Sequence, residues 1–80
     1  MEKIIKKMQL ISENENTGVF IVGGYMRDFL LNKKSFDMDI CVSKSAENFA
    51  KKLAKALDGK FIILDKKNKN YRVALLNCSN

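Results

Sequence analysis

The stretch that decides the fold is residues 19–42, VFIVGGYMRDFLLNKKSFDMDICV. It opens with the apolar run Val19–Val22, which is β-branched and aromatic and is followed at once by the pair Gly23–Gly24. Such a run predicts a strand buried on both faces. Across Ser35–Val42 apolar and polar residues alternate, which is the two-residue repeat of a second strand. The stretch therefore predicts two strands, joined by a connection that begins with two glycines.

Apolar residues spaced three and four apart predict helices before, within and after this stretch. The first helix spans Glu2–Ile11. The second follows the glycines for about two turns, with Asn32 where a left-handed residue would end it. The third carries an apolar stripe over residues 46–57, with Ser45 as the predicted N-cap and Gly59 as the predicted first residue beyond the C-cap. The stripe of the second helix comprises Tyr25, Met26, Phe29 and Leu30.

The rest of the chain is predicted to form a hairpin. Strands Lys60–Leu64 and Tyr71–Leu76 flank a six-residue polar loop, Asp65–Asn70. The order α-β-α-β-α-β-β predicts an α/β fold in which helices pack against a small mixed sheet of about four strands. A chain of 80 residues has room for one small core, so we expect residues 1–80 to form a single domain.

Composition limits the chemistry. The chain has no histidine, so a Ser-His-Asp relay and imidazole zinc ligands are excluded, and acid–base or metal chemistry must use carboxylates. Cys41 and Cys78 are far apart and fit no zinc or CxxC spacing, which favours reduced thiols. No apolar run approaches the roughly 20 residues needed to cross a bilayer. We therefore expect a cytoplasmic protein without a membrane partner.

The net charge of +6 favours a polyanionic partner such as RNA, because cations that neutralise phosphates release counterions. Most of the cations are lysines, which also serve as ordinary solvated surface. The charge alone therefore leaves both interpretations open.

The first candidate site is the junction between the first strand and the second helix. Gly23 and Gly24 let the backbone approach a ligand closely, and the following helix presents unpaired N–H groups to an anion such as phosphate. Arg27, one turn into that helix, can direct its guanidinium at the same anion. The alternatives are a structural Gly-Gly turn and a surface ion pair of Arg27 with Asp28 or Asp37.

The second candidate site is Asp37-Met38-Asp39 on the second strand. Residues i and i+2 of a strand project from one face, about 6.5–7 Å apart. Two like charges repel unless a cation lies between them, and carboxylate oxygens suit Mg²⁺ or Mn²⁺. The alternative is a pair of solvated aspartates on an edge strand. Together, a phosphate cradle and a metal-binding pair are what metal-assisted nucleotidyl transfer requires.

The same motifs resemble a known family. Ile21–Leu31 and Phe36–Ile40 closely resemble the head domain of the bacterial class II tRNA nucleotidyltransferase and poly(A) polymerase family, within the polymerase-beta-like nucleotidyltransferases. The family signature is a strand that ends in Gly-Gly, two variable residues, Arg-Asp, a short Leu-rich helix and an Asp-x-Asp strand. Phe61–Asp65 and Tyr71–Val73 resemble the hairpin that follows it, so the resemblance covers about Val19–Leu76.

This resemblance implies a metal-dependent enzyme that adds nucleotides from ATP or CTP to the 3′ end of RNA, notably tRNA, by CCA or A addition. Carried onto this sequence, Gly24 and Arg27, supported by Gly23, would contact the nucleotide phosphates. Asp37 and Asp39 would be the catalytic residues and would bind Mg²⁺ or Mn²⁺.

One departure from the family bears on activity. Members usually place a third carboxylate on a neighbouring strand, but no Asp or Glu follows Asp65, so strand Tyr71–Leu76 cannot supply it. The downstream Arg-Arg-Asp-Phe-Thr segment and the helical neck, body and tail regions are also missing from these 80 residues. The resemblance therefore predicts an N-terminal head fragment that is catalytically incomplete by itself.

Two other classes of function stay open. A non-catalytic basic module would bind RNA or nucleotides through an electrostatic surface formed by Lys51, Lys52, Lys55 and residues 66–69. A structural fragment would associate, through an exposed sheet edge and apolar face, with itself or with a missing remainder of the protein. Mg²⁺-dependent binding of nucleoside triphosphate that is lost in Asp37→Ala or Asp39→Ala would favour the enzyme over both.

Overall fold

The computed structural model describes residues 2–22, 35–67 and 70–79. These ranges contain helices α1 (Glu2–Glu15) and α2 (Ala46–Ala56) and strands β1 (Val19–Val22), β2 (Phe36–Val42), β3 (Lys60–Lys67) and β4 (Asn70–Cys78). The α/β class and the four strands are confirmed. The helix expected after the glycines lies outside the described residues. Neither described helix is long and apolar enough to cross a membrane.

The four strands form one sheet in the order β1-β2-β4-β3. Every neighbouring pair is antiparallel, whereas a mixed sheet was expected. The reason lies in the hairpin: β2 and β3 run in the same direction and are connected through α2, but β4 lies between them. The parallel strands β2 and β3 are therefore not neighbours in the described sheet.

Both helices cover the same face of the sheet. Helix α2 buries the stripe predicted for it, and α1 contributes Ile4 and Met8. The sheet contributes alternate residues of β2, including Met38 and Ile40, which are almost fully buried. The helices are also joined by Lys52, whose Nζ lies 2.5 Å from Glu15 Oε2. The opposite face of the sheet carries no described helix, so the expectation that β1 is buried on both faces is wrong in the described structure: Phe20 on that face is 62% exposed.

Helix α1 is four residues longer than predicted. It extends to Glu15, and Asn16 adopts the left-handed conformation (φ 52°) just beyond it. The Asn16 N–H donates to Glu13 O (3.2 Å) and the Thr17 N–H to Ser12 O (3.0 Å). These two bonds satisfy the last carbonyl groups of the helix. The apolar stripe had ended at Ile11, so periodicity gave no sign of this last turn.

Helix α2 has the predicted position but different caps. Ser45 precedes it, yet Ser45 is left-handed (φ 54°) and its side chain makes no capping hydrogen bond. At the other end Asp58, not Gly59, takes the left-handed position (φ 55°). The Gly59 N–H donates to Ala54 O (2.8 Å) as the second residue of the cap. Gly59 is needed for space, because a Cβ there would lie 2.7 Å from Cys78 Sγ.

The hairpin has longer strands than predicted. The expected six-residue loop Asp65–Asn70 is wrong, because β3 continues to Lys67 and β4 already begins at Asn70. Asp65 pairs with Arg72 and Lys67 with Asn70. Backbone pairing needs no apolar side chains. The strand ends consist of polar residues, so they lack the apolar pattern from which a strand is predicted. Leu64 is an extra residue in β3 at this point, a β-bulge.

Candidate active site on the open face of the sheet

Two carboxylates lie together on the uncovered face of β2. Along this strand Phe36, Met38, Ile40 and Val42 are buried against the helices. The intervening Asp37 is exposed and Asp39 is partly buried, so both project from the opposite face, called here the open face. The alternative of edge-strand aspartates does not hold for Asp39, which pairs with Val22 of β1 and with Ala74 of β4.

Asp37 is oriented by an irregularity in the neighbouring strand. Phe36 pairs with Cys78 and Met38 with Leu75, so β4 has one residue more than β2 in this interval. Asn77 adopts φ 56° in this bulge, and its N–H donates to Asp37 Oδ1 at 3.0 Å. The bond holds the Asp37 carboxylate at a fixed place beside the end of β4. Sequence reasoning missed Asn77, although an asparagine in an apolar strand is a signal for a left-handed residue.

Cys78 is a buried thiol close enough to Asp37 to be affected by its charge. The residue is fully buried. Burial, and after it the negative charge of Asp37, raise the pKa of Cys78 to about 11. The thiol is therefore protonated near neutral pH, and a protonated, buried thiol is neither a nucleophile nor a metal ligand. The carboxylates remain the reactive groups of this region.

Asp39 lies beside the end of β1. Its cross-strand partners are Val22 on β1 and Ala74 on β4. Val22 directly precedes the Gly-Gly pair in sequence. The strand that leads into the predicted phosphate-binding motif therefore ends next to the second carboxylate. The predicted phosphate-binding residues themselves, Gly23, Gly24 and Arg27, lie outside the described residues.

The open face of β4 offers no carboxylate to complete this pair. Arg72 pairs with Cys41 and Ala74 with Asp39, so both share the open face. In the described part of the chain, no group of three or more His, Cys, Asp or Glu residues could hold a metal ion. Two carboxylate side chains can still provide oxygen ligands for Mg²⁺ or Mn²⁺, since Mg²⁺ keeps several waters and takes others from substrate phosphates.

The part of the predicted basic surface that α2 carries lies on the other side of the molecule, and the side chains of residues 66–69 lie outside the described part of the chain. Lys51, Lys52 and Lys55 are exposed on α2, as predicted, and α2 covers the face opposite the carboxylates. Lys52 is engaged with Glu15. On α1, Lys7 Nζ donates to Ala56 O at 3.3 Å. Part of the lysine excess thus ties the helices together and does not form a free patch.

Comparisons with known proteins find similarity over the part of the chain that contains this site. Residues 19–79 match the family model described as the poly(A) polymerase head domain. The chain belongs to this family. It is also 38% identical over 58 residues to the CC-adding tRNA nucleotidyltransferase of Geobacter sulfurreducens, an alignment covering 72% of this chain and 14% of that protein. No solved structure matches.

Membership in the poly(A) polymerase head family confirms the resemblance drawn from the two motifs, and it places the chain in a family of nucleotidyltransferases. The matched range contains the Gly-Gly pair and both aspartates of β2. Because the alignment covers only 14% of the relative, the activity of a whole enzyme does not follow from it.

Proposed function

We propose that this chain is the head of a metal-dependent, cytoplasmic nucleotidyltransferase that adds nucleotides from ATP or CTP to the 3′ end of RNA, tRNA in particular. The observation that carries the proposal is the pairing of Val22 with Asp39. It brings the strand end that precedes Gly23 beside Asp39, which shares the open face of β2 with Asp37. Family membership and the tRNA-directed activity named for the relative support the substrate class.

The donor set fits a hard divalent cation. Asp37 and Asp39 offer carboxylate oxygens on one open face, and the Asn77 N–H holds Asp37 in place. In this proposal these two residues hold Mg²⁺ or Mn²⁺, which when bound would acidify the RNA 3′-hydroxyl and neutralise phosphate charge.

The remaining groups would position the triphosphate and the RNA for the transfer. The 3′-hydroxyl would lose its proton to solvent and its oxygen would form a bond to the α-phosphorus, while the bond from that phosphorus to the oxygen that bridges it to the β-phosphate breaks and pyrophosphate leaves with the electron pair. Gly23, Gly24 and Arg27 would hold the triphosphate in line for this attack. We propose that base selection, the grip on the tRNA and a third carboxylate come from outside residues 1–80.

Calorimetric titration of ATP and CTP, with and without Mg²⁺, tests the site. We expect Mg²⁺-dependent binding that falls at least about tenfold in Asp37→Asn and in Asp39→Asn, because each change removes one charged ligand. Asparagine at position 37 can still accept the Asn77 N–H, so the fold should persist. Asp58→Asn is the matched control, since it removes one charge at a left-handed position that asparagine tolerates.

The other outcomes are equally informative. Binding that is unchanged in both variants would contradict the proposed metal site. RNA binding that falls steeply with salt yet ignores both substitutions would favour the basic module. Circular dichroism of each variant shows whether lost binding reflects lost structure.

A further inference from the structure

The free edge of β1 is unusually apolar. β1 is an outer strand of the sheet, and within the described residues it pairs only with β2. Its four residues, Val19–Val22, carry no charge, no proline and no bulge. Phe20 lies on the open face opposite Cys41 and is 62% exposed. An exposed apolar strand edge of this kind is a template for pairing with another strand.

The hydrogen-bond pattern shows which backbone groups of β1 face outward. The Ser43 N–H donates to Gly18 O at 3.0 Å and the Gly18 N–H donates to Ser43 Oγ at 2.9 Å, so both backbone groups of Gly18 face residue 43 at the end of β2. Hydrogen-bonded and non-hydrogen-bonded pairs alternate. The N–H and C=O groups of Phe20 and Val22 therefore point toward β2. Those of Val19 and Ile21 point to the free edge.

The other outer strand is protected where β1 is not. β3 exposes Ile62, Ile63 and Leu64, but it also carries the charged residues Lys60 and Asp65 and has an extra residue at Leu64 that disturbs its edge. Charges and bulges are the devices by which sheet edges avoid association. One edge of this sheet thus resists pairing, and the other offers a plain apolar strand.

We propose that β1 pairs with β1 of a second copy of this chain, antiparallel and centred on Phe20. In this register Val19 lies opposite Ile21 of the other copy, so all four outward N–H and C=O groups of each strand find partners. The two Phe20 rings meet across the two-fold axis as a non-hydrogen-bonded pair, where cross-strand side chains approach most closely. A shift by one residue would leave outward groups unpaired.

A groove beside β1 accommodates the second strand. A cavity of about 530 Å³ lies between α1 and β1 and is lined by Ile5, Met8 and Ile21 among others. Val19 and Ile21 of the other copy project from the helix side of the joined sheet, because their partners on β2, Val42 and Ile40, are buried there. Their side chains would enter this groove. The proposal is independent of the nucleotidyltransferase function.

Sedimentation velocity of the full chain across a concentration series tests the pairing. We expect a species of twice the 9.1 kDa chain mass. Phe20→Lys places two like charges on the axis and should weaken the dimer at least about tenfold. Leu64→Lys is the matched control, since Leu64 is 50% exposed on the other outer strand, and it should leave the dimer unchanged.

Disulfide cross-linking tests the register of the two β1 strands. In a Cys41→Ser background, Phe20→Cys should give a covalent dimer on mild oxidation, because residues of a non-hydrogen-bonded pair lie within disulfide reach. Ile62→Cys, on β3, should not. A chain that stays monomeric up to millimolar concentration overturns the proposal. So does a dimer that survives Phe20→Lys, or one that cross-links equally well through position 62.

Discussion

Gly59 follows α2 and packs closely against the end of β4, and its replacement by alanine tests how tightly these elements are packed. A Cβ at this position would lie 2.7 Å from Cys78 Sγ and 2.8 Å from Leu76 O. Leu76 O belongs to the backbone and cannot rotate away. The α2–β3 connection or the end of β4 must therefore move.

The expected cost follows from two opposing effects. Forcing an extra methyl group into a packed site costs about 1–3 kcal/mol. Restricting the unfolded chain returns about 0.4–1 kcal/mol where alanine fits, so we expect a net loss of about 1–2 kcal/mol in the free energy of unfolding. For a domain of this size, that lowers the melting temperature by roughly 5–15 °C.

Urea and thermal unfolding followed by circular dichroism measure this loss. Gly18→Ala is the matched control, because its Cβ would meet Ser43 Oγ at 3.6 Å, an ordinary contact. We expect it to change the free energy of unfolding by no more than about 0.5 kcal/mol. The reasoning is refuted if Gly59→Ala unfolds at the same urea concentration as the parent chain, or if the control loses as much stability.

Two further predictions concern the neighbourhood of Asp37. Because the pKa of Cys78 rises from 9.0 to about 11 on folding, the folded chain holds this proton more tightly, and stability should fall as the pH rises from 9 to 11. After allowance for solvent screening the loss is about 1–2 kcal/mol, and the stability difference between the parent chain and Cys78→Ala, measured in urea, should shrink over that range. Asn77→Val should cost about 1–2 kcal/mol, because a β-branched residue resists the left-handed conformation, whereas Asn77→Gly should be nearly neutral in the same assay.

Strand β2 shows what sequence patterns could predict. Its alternation separated Met38 and Ile40 from Asp37 and Asp39 correctly, because a strand between a helix layer and an open face obeys a strict two-residue period. The stripe of α2 was equally informative. Both predictions rest on the burial of one face of an element, because such burial requires apolar residues at a regular spacing in the sequence.

Other features depend on partners that are distant in sequence. The bulge at Asn77 exists only in relation to Phe36 and Met38, some forty positions away, so the asparagine can signal a left-handed residue but not the pairing that makes it a bulge. Asp58 takes the left-handed position after α2, whereas Gly59 makes room for Cys78. Gly59 therefore marked the end of the helix correctly, but its role there is not the predicted one. Periodicity describes the environment of a residue along its own element. It does not describe contacts between elements.

The strand order explains why the candidate site depends on the whole sheet. β2 lies between β1 and β4, so Asp39 is positioned from one side by Val22 and from the other by Ala74. Asp37 takes its orientation from the end of β4, and that end is in turn confined by Gly59. A substitution that loosens the α2–β3 connection should therefore weaken metal-dependent nucleotide binding without touching either carboxylate. Gly59→Ala, titrated with ATP and Mg²⁺, should show this loss, whereas Gly18→Ala should not.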